Sequence, residues 1–258
     1  RNPSQIMNLG FGILYDPAKA PHILVAGGTG SGKSVFIETL ITQFLKVGDV
    51  GDDIPEVYIC DPKNSDLSQL SHYFDETHVS SSLNGIAKIC RLVAEEMEAR
   101  YEFMQENFKY GSSYVDHDLL PVWLVFDEVG AFVANGTDKN SKAIVNEVMD
   151  YIRQIILKGR QAGVFILVAS QQMSANTLST DLRDNLGLRV ALGSNSTEGY
   201  KMVFGSASPT PQPIEEKGAG FLYLQGSGKE TAQYYEAPWV DREKYNFIEE
   251  ITKYTSVS

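Results

Sequence analysis

Residues 27–34 read Gly-Gly-Thr-Gly-Ser-Gly-Lys-Ser and fit the pattern G-x-x-x-x-G-K-[ST]. Glycines at that spacing let successive backbone N–H groups turn toward an anion, and a helix opening at Lys33 adds its positive N-terminal end. The chemistry implied is capture of a nucleoside triphosphate by Gly27, Gly28, Thr29, Gly30, Ser31, Gly32, Lys33, Ser34 and Val35. Lys33 would reach the β- and γ-phosphates, and the Ser34 hydroxyl would meet magnesium. A second constellation closes the apolar run Val122-Trp123-Leu124-Val125-Phe126 with two carboxylates, Asp127 and Glu128. Asp127 suits holding magnesium through its water shell. Glu128, one residue on, suits orienting or deprotonating a water. Gln171, just past the run Val164 to Ala169, is a polar group able to sense a γ-phosphate. Arg160, in Lys158-Gly159-Arg160-Gln161-Ala162-Gly163, reads from position alone as a solvated arginine near a helix C-terminus. The other reading places it on a short loop, reaching a neighbouring subunit's nucleotide.

These groups need a scaffold that brings strand ends together, and the chain alternates strand and helix patterns as a parallel α/β sheet would. Strands are expected at Ile23 to Ala26, Glu56 to Cys60, Val122 to Phe126, Val164 to Ala169 and Leu188 to Leu192. Helices are expected from Lys33 to Leu45, Leu83 to Asn107 and Ser141 to Lys158, the last ending at Gly159 as a C-cap. Asn135 to Asn140 reads as an exposed loop, and Ser206 to Pro213, with three prolines, as an irregular connection. Gly220 to Leu224 and Thr231 to Tyr235 flank Gly226-Ser227-Gly228 as a C-terminal hairpin at the sheet edge. No repeat or linker divides the chain, so residues 1–258 are expected to form one domain.

Composition narrows the classes. The 43% hydrophobic content excludes a disordered or fibrous chain. No stretch approaches the roughly eighteen apolar residues of a membrane span. The polar start, Arg-Asn-Pro-Ser-Gln, lacks an initiating Met and suggests a fragment whose parent carries further parts. Cys60 and Cys90 give neither a disulfide framework nor a zinc spacing, which suits a reducing cytosol. The four histidines share no ligand spacing and read as structural. A net charge of −11 with no basic run argues against tight nucleic-acid binding by the isolated domain, while leaving room for a local basic strip in an oligomer.

Seven segments in this order resemble the motor domain of the FtsK/SpoIIIE family. They are Pro21 to Gly27, Asp61-Pro62-Lys63, Glu96-Met97-Glu98-Ala99-Arg100-Tyr101, Gly159 to Gly163, Ala169-Ser170-Gln171-Gln172, Arg189-Val190-Ala191 and Gly218 to Tyr223. The resemblance implies a RecA-like P-loop NTPase of the additional-strand, catalytic-Glu class, with ATP and Mg2+ as cofactors. It implies an ATPase coupled to DNA translocation by a ring, of six subunits, and it makes Arg160 an arginine finger supplied in trans. Gln172-Met173 departs from the family's Arg-Pro, the DNA-orienting winged helix of chromosome translocases is absent from these residues, and the insert-like Asn135 to Asn140 and Ser206 to Pro213 also differ from those translocases. These departures are similar to the TcpA-type coupling proteins of Gram-positive conjugative elements, which implies a cytoplasmic domain under a membrane anchor, with relaxase or transfer-channel proteins as partners. A type VII-like protein-export ATPase is the alternative, since an acidic surface suits a protein cargo. A non-hydrolysing assembly module is the second alternative.

Overall fold

Apolar runs that bury both faces of a strand dictate the centre of this molecule. The computed structural model describes residues 5–46, 54–174, 177–238, 240 and 246–255; the polar start at residues 1–4 lies outside them. In chain order the strands are β1 (Met7–Asn8), β2 (Leu14–Tyr15), β3 (Ile23–Gly27), β4 (Glu56–Cys60), β5 (Val79–Ser80), β6 (Val122–Asp127), β7 (Val164–Ser170), β8 (Leu188–Leu192), β9 (Ala219–Leu224) and β10 (Gln233–Glu236). The α-helices are α1 (Lys33–Lys46), α2 (Leu83–Glu106), α3 (Val129–Ala134), α4 (Lys139–Ala162), α5 (Thr180–Arg183), α6 (Thr197–Phe204) and α7 (Phe247–Thr252).

Eight strands form one sheet in the order β10-β9-β8-β3-β7-β6-β4-β5. The six from β8 to β5 are parallel, and β9 and β10 add an antiparallel hairpin at one edge, as the sequence led us to expect. Alternate residues of each central strand supply two separate cores. Leu24, Leu124, Phe126, Ile166 and Val168 pack with α2 and α4 on one face. Ile23, Val25, Trp123, Val125, Phe165 and Leu167 pack with α1 on the other. On that second face Phe44 of α1 stacks on Trp123 at 4.0 Å, and the indole N–H donates to Gln5 Oε1 at 2.6 Å. No helix among the described residues is long and apolar enough to cross a membrane.

Two boundaries differ from expectation, each for a local reason. Helix α4 begins at Lys139, because Asp138 accepts from the Ser141 N–H at 2.8 Å and nucleates the first turn ahead of the apolar stripe. The loop expected at Asn135 to Asn140 is correspondingly shorter. At its other end α4 runs through Gly159 to Ala162 and is capped by Gly163 at φ 72°. Gly159 therefore does not end the helix. It lets the helix lie against β7, since a Cβ there would sit 1.9 Å from the Val164 carbonyl oxygen. The two-residue strands β1, β2 and β5 and the short helices α3, α5, α6 and α7 were not expected, because none is long enough to show a period.

His22, fully buried, ties three elements together. Its Nε2 donates to Ile156 O of α4 at 3.0 Å, and its Nδ1 accepts from Ile166 N of β7 at 3.2 Å, so both neighbours require the neutral ring. Burial lowers its pKa from 6.5 to about 3. Below pH 6.5 the unfolded chain binds a proton that the folded chain refuses, so stability falls as the pH drops. We expect about 2 kcal/mol to be lost between pH 7 and 5 from this group. Urea unfolding should give that slope, and a much smaller one in His22→Asn, which tolerates the left-handed backbone found here (φ 69°) but does not titrate.

Candidate active site

The C-terminal ends of β3, β6 and β7 lie side by side, because β7 runs between the other two in parallel register. That adjacency gathers residues more than a hundred positions apart. A cleft of about 300 Å³ is lined by Gly27, Gly28, Thr29, Gly30, Gly32, Lys33, Ser34, Val35, Asp127, Glu128 and Gln171, with Lys63, Ser65 and Lys217 added. Of the residues singled out from sequence, Ser31 and Arg160 are not on the cleft wall.

The glycine loop is held from behind. Gly30 and Gly32 have φ of 80° and 93°, and a Cβ on Gly32 would meet Gly218 N at 2.8 Å. Gly218 in turn donates its N–H to Ser31 O at 2.8 Å, so the lead-in to β9 braces the loop. Ser31 thus acts through its backbone, from a nearly buried position.

Glu128 caps α3 in a left-handed conformation at φ 57°, a strained state for a residue with a side chain. Its Oε1 accepts from Lys33 Nζ at 3.2 Å and from Gln171 N at 2.5 Å, while Oε2 makes no hydrogen bond among the described residues. The Gln171 side chain reaches Thr29 Oγ1 at 3.4 Å. Lys33, Glu128, Gln171 and Thr29 thus form one hydrogen-bonded group. Asp127 lies deeper. Burial raises its pKa to about 6, opposed by the charge of Lys33 and reinforced by Asp61 and Glu128. Its Oδ1 is buried with no hydrogen-bond partner among the described residues. An orphaned carboxylate oxygen sharing a cleft with the Ser34 hydroxyl fits a hard cation that takes oxygen ligands, such as magnesium.

Arg160 sits elsewhere. It is exposed in the last turn of α4, at the N-terminal end of β7, whereas Gln171 follows the C-terminal end. Six residue steps of strand separate the two ends by about 20 Å, beyond any side chain's reach. The expected short loop is absent, and the helix end is instead held firmly. Arg100 donates to Ala162 O at 2.9 Å, Tyr101 donates to Lys158 O, and Gln161 donates to Ser112 O at 2.8 Å. The Glu96 to Tyr101 segment noticed in the sequence is therefore the platform on which Arg160 stands.

Beside the cleft, a second cavity of about 350 Å³ shares Gly32, Val35 and Lys217 with it and is walled by Phe36, Ala237, Pro238 and Val240. Sequence reasoning missed Lys217 and this cavity, since the β9–β10 segment meets α1 only in three dimensions.

The sequence profile of the FtsK/SpoIIIE family matches residues 5–133, the stretch holding the glycine loop and both carboxylates. The chain belongs to the FtsK/SpoIIIE family. An FtsK domain-containing protein of Bacillus subtilis, YdcQ, is 35% identical over 90% of this chain and 46% of its own length. The DNA translocase SftA of the same organism is 28% identical over 84% of this chain and 23% of its own. This FtsK/SpoIIIE chain thus spans less than half the length of these relatives. Among solved structures, the pCW3 conjugation coupling protein TcpA, in a monomer form with ATPγS, superposes with a TM-score of 0.77 at 21% identity, covering 98% of this chain and 70% of that one. EssC from Geobacillus thermodenitrificans gives 0.66 at 19% identity, over 93% and 44%. Those likenesses establish the fold of this FtsK/SpoIIIE domain, a P-loop ATPase fold with a mostly parallel sheet flanked by helices.

Proposed function

We propose that residues 1–258 are a single ATPase motor domain that hydrolyses ATP at the interfaces of a ring and so drives DNA through it. The observation that supports this reading is that Arg160 is exposed at the opposite end of β7 from its own cleft, out of reach of a nucleotide bound there and free to meet a neighbour's. In the cleft, Ser34 and Asp127 would hold magnesium, which when bound neutralises phosphate charge. Lys33 would leave Glu128 for the β- and γ-phosphates, as P-loop lysines do. The free Oε2 of Glu128 would then orient the attacking water and take its proton, while Oε1 stays on the Gln171 N–H. Gln171, bridging Glu128 and Thr29, would register loss of the γ-phosphate. The cavity beside Val35, which combines the apolar Phe36, Pro238 and Val240 with the polar Thr39 and Glu236, would take the base. Arg160 of the next subunit would offset transition-state charge. Similarity to a coupling protein supports a role in conjugation, with relaxase or channel proteins as partners and a membrane anchor elsewhere in the parent protein.

One observation favours a protein cargo instead. From Gln172 to Gly187 the only basic residue is Arg183, and it is buried. The segment leaving the sensor strand therefore offers no exposed cation to a phosphate backbone. ATP turnover measured alone, with single- or double-stranded DNA, and with a secreted-substrate peptide separates the readings. Stimulation by DNA that disappears in Lys33→Ala supports the motor, and stimulation by peptide alone supports export. Mixing Arg160→Ala with Glu128→Gln subunits should restore some turnover, and no recovery would argue against shared sites.

A further inference from the structure

Lys63 lines the nucleotide cleft although it belongs to neither the glycine loop nor the carboxylate pair. The turn that carries it is fixed on both sides. Before it, Asp61 is fully buried at the end of β4, and its carboxylate accepts from Ser65 Oγ at 3.0 and 3.1 Å and from Ser68 N at 2.9 Å. After it, Asn64 holds a left-handed φ of 52° and donates its N–H to Asp61 O at 3.0 Å. A buried carboxylate spent on shaping four residues, and a side-chain-bearing residue kept at positive φ, are what a turn needs when it must present one side chain in one direction. The residue presented is Lys63, flanked by Pro62, whose ring fixes the local backbone.

Charge in the cleft gives that lysine a task. Lys33 is occupied by Glu128, and Lys217 lies on the other side, where the cleft meets the second cavity at Gly32. Lys63 makes no hydrogen bond or ion pair among the described residues, and it follows β4, which pairs with β6 with Cys60 opposite Phe126, so it stands on the carboxylate side of the cleft. In a P-loop site that side faces the terminal phosphate, because the carboxylates closing the strand are the groups that would hold magnesium and the attacking water there.

We propose that Lys63 contacts the terminal phosphate of ATP within the same subunit, opposite Lys33, and makes the cleft discriminate triphosphate from diphosphate. The proposal rests on the reading of the cleft as an ATP site. An uncommitted ammonium on a long stem closes onto a γ-phosphate oxygen when ATP enters and has nothing to hold after phosphate leaves. The turn between β4 and the 3₁₀ helix Asp66–His72 would then be tightened or relaxed with each cycle.

The test is affinity for ATPγS and ADP, each with magnesium, in the unaltered protein and in Lys63→Met and Lys63→Arg, with thermal unfolding of all three. We expect Lys63→Met to weaken ATPγS by about 10- to 100-fold, the worth of a charge-assisted hydrogen bond, and to leave ADP within about 3-fold. Lys63→Arg should recover most of the ATPγS affinity, and none of the melting temperatures should move. Equal weakening of both nucleotides would reduce Lys63 to a general attractive field and overturn the proposal, as would no weakening of either. A fall in melting temperature accompanying any loss would assign Lys63 to the fold instead. If the unaltered protein bound neither nucleotide, the ATP reading of the cleft would itself be wrong.

Discussion

Replacing Glu128 with Gln is expected to cut ATP turnover by at least about 100-fold while nucleotide affinity stays level or rises. General-base assistance alone is worth roughly 100- to 10,000-fold, and Gln keeps the shape of the side chain without the basicity. The sign of the affinity change follows from an ion pair inside the cleft. Lys33 is held by Glu128 at 3.2 Å and must leave it to reach phosphate. The neutral amide removes that competition and frees the lysine. The Gln171 N–H can still donate to the amide oxygen, so Gln171 should keep its place. The check is paired: steady-state turnover, and binding of a slowly hydrolysed nucleotide to the same preparation. A variant that lost binding along with turnover would mean that Glu128 is needed to shape the cleft, and its role as a base would be unsupported.

The second large effect is on stability, at Gly159. Helix propensity favours Ala over Gly by about 1 kcal/mol, so an exposed helical glycine would gain from Gly159→Ala. Here the added Cβ would sit 1.9 Å from Val164 O and 3.1 Å from Val164 C, with His22 Cε1 at 3.3 Å. The closest neighbours are backbone, so they cannot rotate away. Either α4 lifts from β7 or the strand shifts, and overpacking of that kind costs about 1–3 kcal/mol or more. Overlap therefore outweighs propensity. We expect Gly159→Ala to lower the melting temperature by about 4 °C or more, at roughly 2–4 °C per kcal/mol for a chain of this size, with larger residues preventing folding. Gly228→Ala is the comparison, since its φ of 80° carries dihedral strain but its Cβ would meet nothing within 4 Å. A Gly159→Ala protein as stable as the parent would show that α4 and β7 can separate locally without cost. Because the same turn of helix carries Arg160, lifting α4 should also blunt the proposed shared site without touching the cleft.

The sequence by itself determined the parts whose chemistry is local. The glycine loop is legible because phosphate capture needs small residues at fixed spacing next to a strand. Asp127 and Glu128 are legible because paired carboxylates closing a wholly apolar run are out of place unless they do something. Five parallel strands were readable because strands buried on both faces are written as continuous apolar runs, and the C-terminal hairpin because its glycines punctuate it.

Tertiary structure alone decided the rest. The placement of β7 between β3 and β6 is a matter of sheet order, and it joins Gln171 to Glu128 and Thr29. The left-handed backbone of Glu128 is imposed by the strand-to-helix corner and contradicts its local preference. Gly159 looked like a stop signal because glycine often ends helices, but its use here is contact with a neighbouring strand. Asp61 and Lys63 were visible as a motif, yet which of them turns inward and which faces the cleft depends on how the chain folds after β4. Arg160 makes the same point. Its position beside a helix end was in the sequence, while its distance from its own cleft follows from the direction of β7. A motif records which groups are present, and strand order and strand direction decide which of them can meet.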